Sequence, residues 1–269
     1  MKKILSLVLM LAVLLTCFTS ALASEEKVFQ VSSQPEGVGD KVHYPWQNML
    51  LLDSLVFRTL FLAENDLTTL KDDLAKADYE LSEDRLTYVI ELIEGNKWSD
   101  GEDITAEDVA FSIKFNLRVA ISNGIFTTAF NKIVGAAEWK DGSADDLAGL
   151  VVDGNKITIT LTAPYSAFAP TLAQFAILPE HILKDEDPLE LYNSSFWTNP
   201  VASGMFKVGE MSTGNYFTLV PNEYYAGKAP KIQKVVNHFV NDPITAIQSG
   251  LMDFYNSNSP GNNIRNCKT

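Results

Sequence analysis

Between Leu86 and Ile93 the chain alternates: Tyr88, Ile90 and Leu92 fall on one parity, and Thr87, Val89 and Glu91 on the other. A period of two predicts a strand with one face better buried than the other. The same alternation runs through Lys156–Thr162, and Asp153-Gly154 turns the chain back toward Leu150–Val152, which predicts a hairpin. In between, the period lengthens. Thr105-Ala106-Glu107-Asp108 has a capping hydroxyl and first-turn acids, and Val109, Ile113 and Leu117 then recur at i, i+4 and i+8. That spacing predicts a helix with one buried stripe. Lys27–Val31 predicts an opening strand, followed by a Pro/Gly-punctuated loop from Gln34 to Pro45. Leu50–Leu62 is predicted helical from composition, with Leu51, Leu55 and Leu62 roughly on one face. Near the end Asp242-Pro243 starts a short helix and Gly250 stops it, the usual placement of proline and glycine. Leu251–Tyr255 then resumes as a strand. Asn256–Asn263 offers nothing to bury, and residues 264–269 read as a tail.

The first residues are patterned differently. Lys2 and Lys3 precede an apolar run from Ile4 to Leu15 broken only by Ser6, and Ala21 and Ala23 supply small residues at the −3 and −1 positions of a cleavage site. The run is short for a transmembrane span of about 20 residues. Residues 1–23 therefore read as an export signal, with Ser24 the expected mature start and a periplasmic, cell-envelope or extracellular destination. Leu14-Leu15-Thr16-Cys17 offers a rival, a lipid anchor on Cys17, but threonine before the cysteine suits that processing poorly. Removing the signal takes away two lysines and no acids, moving the formal charge from −13 to −15. So acidic a surface argues against nucleic acid and anionic lipid as partners. Only Cys267 of the two cysteines remains beyond the signal, so no intramolecular disulfide is expected. Four Trp, nine Tyr and fifteen Phe are enough for a real core.

Catalytic patterns are missing. His43, His181 and His238 stand far apart, with no HExxH or His-x-His pair, no Gly-x-Ser-x-Gly elbow and no phosphate loop. Asp185-Glu186-Asp187 reads as a solvated acidic loop more readily than as a cation site. Asn193-Ser194-Ser195 is a glycosylation triplet of a kind that arises by chance. No enzyme activity, metal or cofactor is expected.

Lys97-Trp98-Ser99-Asp100-Gly101, followed by Ile104-Thr105-Ala106, Asp108-Val109 and Phe111-Ser112, resembles the signature of the family 5 extracellular solute-binding proteins. Three further stretches follow in that family's order. They are Asp72-Asp73-Leu74-Ala75 with Tyr79, Asn199–Lys207 with Leu219–Tyr225, and Asp242–Asp253. The resemblance spans residues 27–255. Two details depart from it: Leu92–Gly95 lacks the usual basic residue, and Ser203-Gly204-Met205-Phe206 replaces glycine-proline-tyrosine.

The resemblance implies an α/β fold: a type II periplasmic-binding-protein-like first lobe with a smaller inserted α+β domain. It places first-lobe segments at residues 24–62 and 197–256, the insertion at 63–196 and a tail at 257–269, with the second lobe missing from the sequence. It implies a monomer that captures an oligopeptide or other small solute for an ABC permease in the cytoplasmic membrane. The alternative is a half-receptor without a transport role. In the family, ligand is enclosed between two closing lobes and held by strand-like backbone bonds. On that basis the candidate ligand contacts are Tyr44, Trp46, Phe126, Phe130, Ser203 and Gly204. Tyr44, Trp46 and Phe126 are expected to be partly exposed on an open cleft face. Trp98, Asp100, Gly101, Thr105 and Asp108 are expected to shape the fold.

Overall fold

The computed structural model describes residues 27–32, 41–42, 44–47, 52–66 and 68–255. The export signal with Cys17, Ala21, Ala23 and Ser24, His43, and the tail at 257–269 lie outside the described residues.

Two sheets organise the chain. The first draws on both of its ends. β1 (Val28–Ser32) lies parallel to both β10 (Lys234–His238) and β11 (Phe254–Tyr255), and β9 (Tyr216–Pro221) and β8 (Phe206–Ser212) extend the sheet antiparallel from β10. Its order is β11-β1-β10-β9-β8. The second sheet is antiparallel throughout: β4 (Glu80–Leu81), β5 (Thr87–Glu91), β7 (Lys156–Thr160) and β6 (Leu150–Asp153). The predicted alternation places Tyr88 opposite Ile159 and Ile90 opposite Ile157, and all four side chains are buried. Cross-strand apolar pairs of this kind are what stabilise a sheet face. Gly154 turns the hairpin at φ 59°.

α2 (Ala106–Asn116) packs across β6 and β7. The predicted Thr105 cap is present and is one half of a capping box, the other being the Thr105 N–H donating to Asp108 Oδ2 at 2.9 Å. Val109, Ile113 and Leu117 are all buried. Further helices run over α3 (Gly124–Phe130), α4 (Ala136–Asp141), α5 (Phe168–Leu172), α6 (Glu180–Leu183) and α7 (Pro243–Gln248). Asp242 caps α7 by accepting from the N–H groups of Ile244 and Thr245.

Two expectations need correction. The helix read over Leu50–Leu62 is described only as α1 (Asp53–Val56), and Phe61–Ala63 is instead β2, paired with β3 (Leu70–Asp72). Leu62, expected on one helix face with Leu51 and Leu55, lies in this strand and is 52% exposed. Distant partners hold this backbone open. The Arg58 N–H goes to Ser203 Oγ, its carbonyl accepts from Ile177 N–H, and the carbonyls of Thr59 and Leu60 accept from Leu74 and Ala75. The strand read over Leu251–Tyr255 begins only at Phe254. Asp253 precedes it, exchanging backbone and carboxylate hydrogen bonds with Gln30 at 2.8 Å.

Candidate functional site

The segment from α1 to β2 forms the wall of a cavity of about 390 Å³. Asp53, Ser54, Leu55 and Phe57 to Thr59 line one side, joined by Leu62; Asp73, Ala173, Gln174, Ala176, Pro45, Met205 and Tyr225 complete it. Ser54, Leu62 and Gln174 are exposed, so the cavity opens to solvent on that rim.

Arg58 is the only cationic side chain among the described lining residues. Its Nε donates to Asp73 Oδ1 at 2.7 Å, and Nη2 lies 2.6 Å from the same oxygen. Nη1 donates to Asn96 Oδ1 at 2.5 Å, and the Tyr225 ring centroid lies 5.5 Å from the guanidinium carbon. The ion pair is largely buried, with 13% and 10% of the two side chains exposed. Burial pushes the Asp73 carboxyl up, against the opposing pull of Arg58 and of its hydrogen bonds. Inside protein such a pair holds only while every partner stays in place.

The backbone that carries Arg58 is held by the loop at 202–205. Val56 O accepts from the N–H groups of both Ser203 (3.1 Å) and Gly204 (2.8 Å), and the Ser203 hydroxyl accepts from Arg58 N–H at 2.8 Å. A Cβ on Gly204 would lie 2.3 Å from Leu55 O, so only glycine lets the two backbones approach so closely. Asn222 secures the loop by donating from Nδ2 to Gly204 O and from its backbone to Met205 O. The signature turn holds it from the other side: Ser99 N–H donates to Ala202 O, and Ala202 N–H to Ser99 Oγ. Gly101 closes that turn at φ 97°, its N–H donating to Trp98 O.

Four of the six candidate contacts lie elsewhere. Trp46 is 0% exposed, stacked on Phe175 at 5.1 Å, and its indole N–H donates to Ala176 O. Tyr44 is 3% exposed, donates its hydroxyl to Ile121 O and meets Trp197 edge-on; burial pushes its phenol well above the ordinary range. Phe126 and Phe130 are fully buried against Phe175. The expected partial exposure of Tyr44, Trp46 and Phe126 is therefore overturned. These rings find one another across the segment around Phe175, and their area is worth more in that cluster than against water. Ser203 and Gly204 are also buried, immediately behind the cavity wall. The cavity is lined instead by residues that include Arg58, Asp73, Gln174 and Tyr225, none of them a candidate from the sequence. Arg58 left one signal, a lone cation inside the apolar run from Leu55 to Phe61.

Among the described residues no three His, Cys, Asp or Glu side chains gather to hold a metal ion, and no helix is long and apolar enough to cross a membrane. Asp185-Glu186-Asp187 lies on an exposed stretch.

Residues 69–265 match the family described as bacterial extracellular solute-binding proteins, family 5 Middle. A Brucella ovis relative, named as an ABC transporter peptide-binding protein, is 30% identical over 203 residues, covering 74% of this chain and 35% of its own. Oligopeptide-binding protein OppA of Lactococcus lactis subsp. cremoris is 28% identical over 190 residues, 67% of this chain and 32% of that protein. The chain thus spans about a third of the length of these relatives. Among solved structures, lactococcal OppA complexed with an endogenous peptide superposes with a TM-score of 0.68 at 24% identity, covering 86% of this chain and 45% of that one. NikZ from Campylobacter jejuni in complex with Ni(L-His) gives 0.63 at 24% identity, covering 86% and 43%. At that identity the likeness is one of fold.

Proposed function

The chain belongs to the family 5 bacterial extracellular solute-binding proteins, and from that premise we propose that it binds a short peptide or related small solute outside the cytoplasm and delivers it to an ABC permease. The relatives' names describe binding proteins and not enzymes, which supports capture without catalysis. In this reading the protein acts as a monomer, exported by residues 1–23 and beginning at Ser24. N-terminal sequencing that found a lipidated Cys17 would replace that start with a membrane anchor. Segments 24–62 and 197–256 form one domain in this reading and 63–196 the other.

The observation that carries the proposal is the position of β2. Among the described residues this strand pairs only with β3. Glu64 N–H donates to Thr69 O across that pair, so by antiparallel alternation the backbone groups of Phe61 and Ala63 face away from it. Phe61 is buried and its carbonyl already accepts from the Thr59 hydroxyl at 2.6 Å, so the edge left for a ligand is at exposed Ala63. A strand edge beside a cavity suits an extended ligand that pairs there and sends a side chain into the pocket. The ligand contacts then come from Arg58, Leu62, Gln174 and Tyr225. Ser203 and Gly204 act through Arg58, whereas Tyr44, Trp46, Phe126 and Phe130 support the wall from behind.

Calorimetry with tri- to pentapeptides tests this reading. Saturable binding that weakens on Leu62→Pro, which distorts the edge, supports it. Binding confined to non-peptide solutes would redirect the proposal, and unchanged peptide binding in the proline variant would remove the strand edge from it.

A further inference from the structure

The cavity floor is an arginine whose charge is already cancelled. A guanidinium has five N–H groups. In Arg58, Nε and Nη2 face one oxygen of Asp73, and Nη1 reaches Asn96. An N–H on each terminal nitrogen remains outside these contacts, in a side chain that borders the cavity and keeps 13% of its surface. The guanidinium cannot swing away to meet a ligand. Asp73 holds its Nε/Nη2 edge, Asn96 holds Nη1, and the guanidinium carbon lies over the Tyr225 ring at 5.5 Å.

We propose that the Arg58–Asp73 pair determines specificity in this cavity, with Arg58 donating its remaining N–H groups to an uncharged oxygen acceptor of the ligand and Asp73 making the site reject carboxylates. The ligand group is then an amide, carbonyl or hydroxyl, such as a Gln, Asn, Ser or Thr side chain, and not a Glu or Asp side chain or a free carboxyl terminus. The inference rests on the solute-binding reading given above.

Two physical terms favour it. A ligand carboxylate on the remaining N–H groups would be repelled by Asp73 on the neighbouring edge of the same guanidinium, which offsets part of its attraction to Arg58. It would also leave water for a space walled by Pro45, Phe57, Leu62 and Met205 without gaining a countercharge of its own. An amide loses far less on entry and still meets a charge-assisted donor.

The test reads Arg58 directly, using the full chain with ¹⁵N-labelled arginine. The Arg58 Nε–H resonance is identified by its loss in Arg58→Lys, and acetamide and acetate are titrated separately at matched ionic strength. Acetamide is expected to shift that resonance in the wild type, and acetate to need at least a tenfold higher concentration. In Asp73→Asn, which removes the cancelling charge with little change of shape, the order is expected to reverse. Acetate acting at the same or a lower concentration than acetamide in the wild type would overturn the proposal, as would no response to either. If Asp73→Asn does not fold, the wild-type comparison decides alone. Preserved acetamide preference with no peptide binding by calorimetry would sink the peptide reading and leave this one standing.

Discussion

The indole N–H of Trp98 donates to Oδ2 of Asp108 at 3.2 Å, and both residues are buried. The same oxygen accepts the N–H of Thr105, and Oδ1 accepts the N–H of Glu180 at 2.8 Å. One carboxylate thereby ties the signature turn, the start of α2 and the start of α6 together. The signature motif is scaffolding for the cavity, because the adjacent Ser99 fixes the loop that positions Arg58.

Trp98→Ala should destabilise the protein by about 3–5 kcal/mol, the usual cost of truncating a fully buried large aromatic. Chemical denaturation measures it. An unfolding midpoint equal to that of the wild type would show that the ring is dispensable.

Gly204→Ala should cost about 1–3 kcal/mol through overpacking, because the new methyl meets the Leu55 carbonyl and no flexible side chain is there to move aside. The same experiment reads it, and peptide binding should weaken alongside as Val56 and Arg58 are displaced. Gly214 is the control. Nothing lies within 4 Å of its Cβ position, so any cost there comes from its φ of 76° and not from crowding.

Arg58→Met should cost about 3–5 kcal/mol, since it strands the Asp73 carboxylate away from water. The double variant Arg58→Met/Asp73→Leu should recover much of that loss while abolishing ligand selectivity. A single variant as stable as the wild type would mean that water replaces the arginine at no cost.

His238 supplies a pH dependence. Its Nε2 lies 2.7 Å from Gln30 Oε1, and burial holds its pKa below the ordinary 6.5. On acidification the unfolded chain takes up the proton first, so this contribution is intact above pH 6.5 and is lost as pH falls below it. Thermal unfolding between pH 7.5 and 5.5 should show a shallower decline in His238→Gln than in the wild type. Identical slopes would place the titration elsewhere.

Local signals carried much of this protein. The alternation at Tyr88, Ile90 and Ile157, the Thr105 cap with its Val109–Ile113 stripe, and the Asp153-Gly154 turn each depend on neighbours within a few residues. The chain alone therefore determined them. The signature around Trp98 carried the family. The segment from Leu50 to Leu62 shows the opposite case. It is rich in Leu and Phe, with Asp53, Ser54, Arg58 and Thr59 at no clear period, so its own residues do not choose between helix and strand. Backbone partners at Ser203, Ile177, Leu74 and Ala75 made the choice. Tertiary structure also decided which aromatics are core and which residues face the cavity. Trp46 disappears because Phe175, far along the chain, stacks on it. Arg58 becomes a site residue only once Asp73, Asn96 and Tyr225 converge on it. Such contacts join residues that no local period relates, and the energy of a buried charge depends on all of its partners being present together.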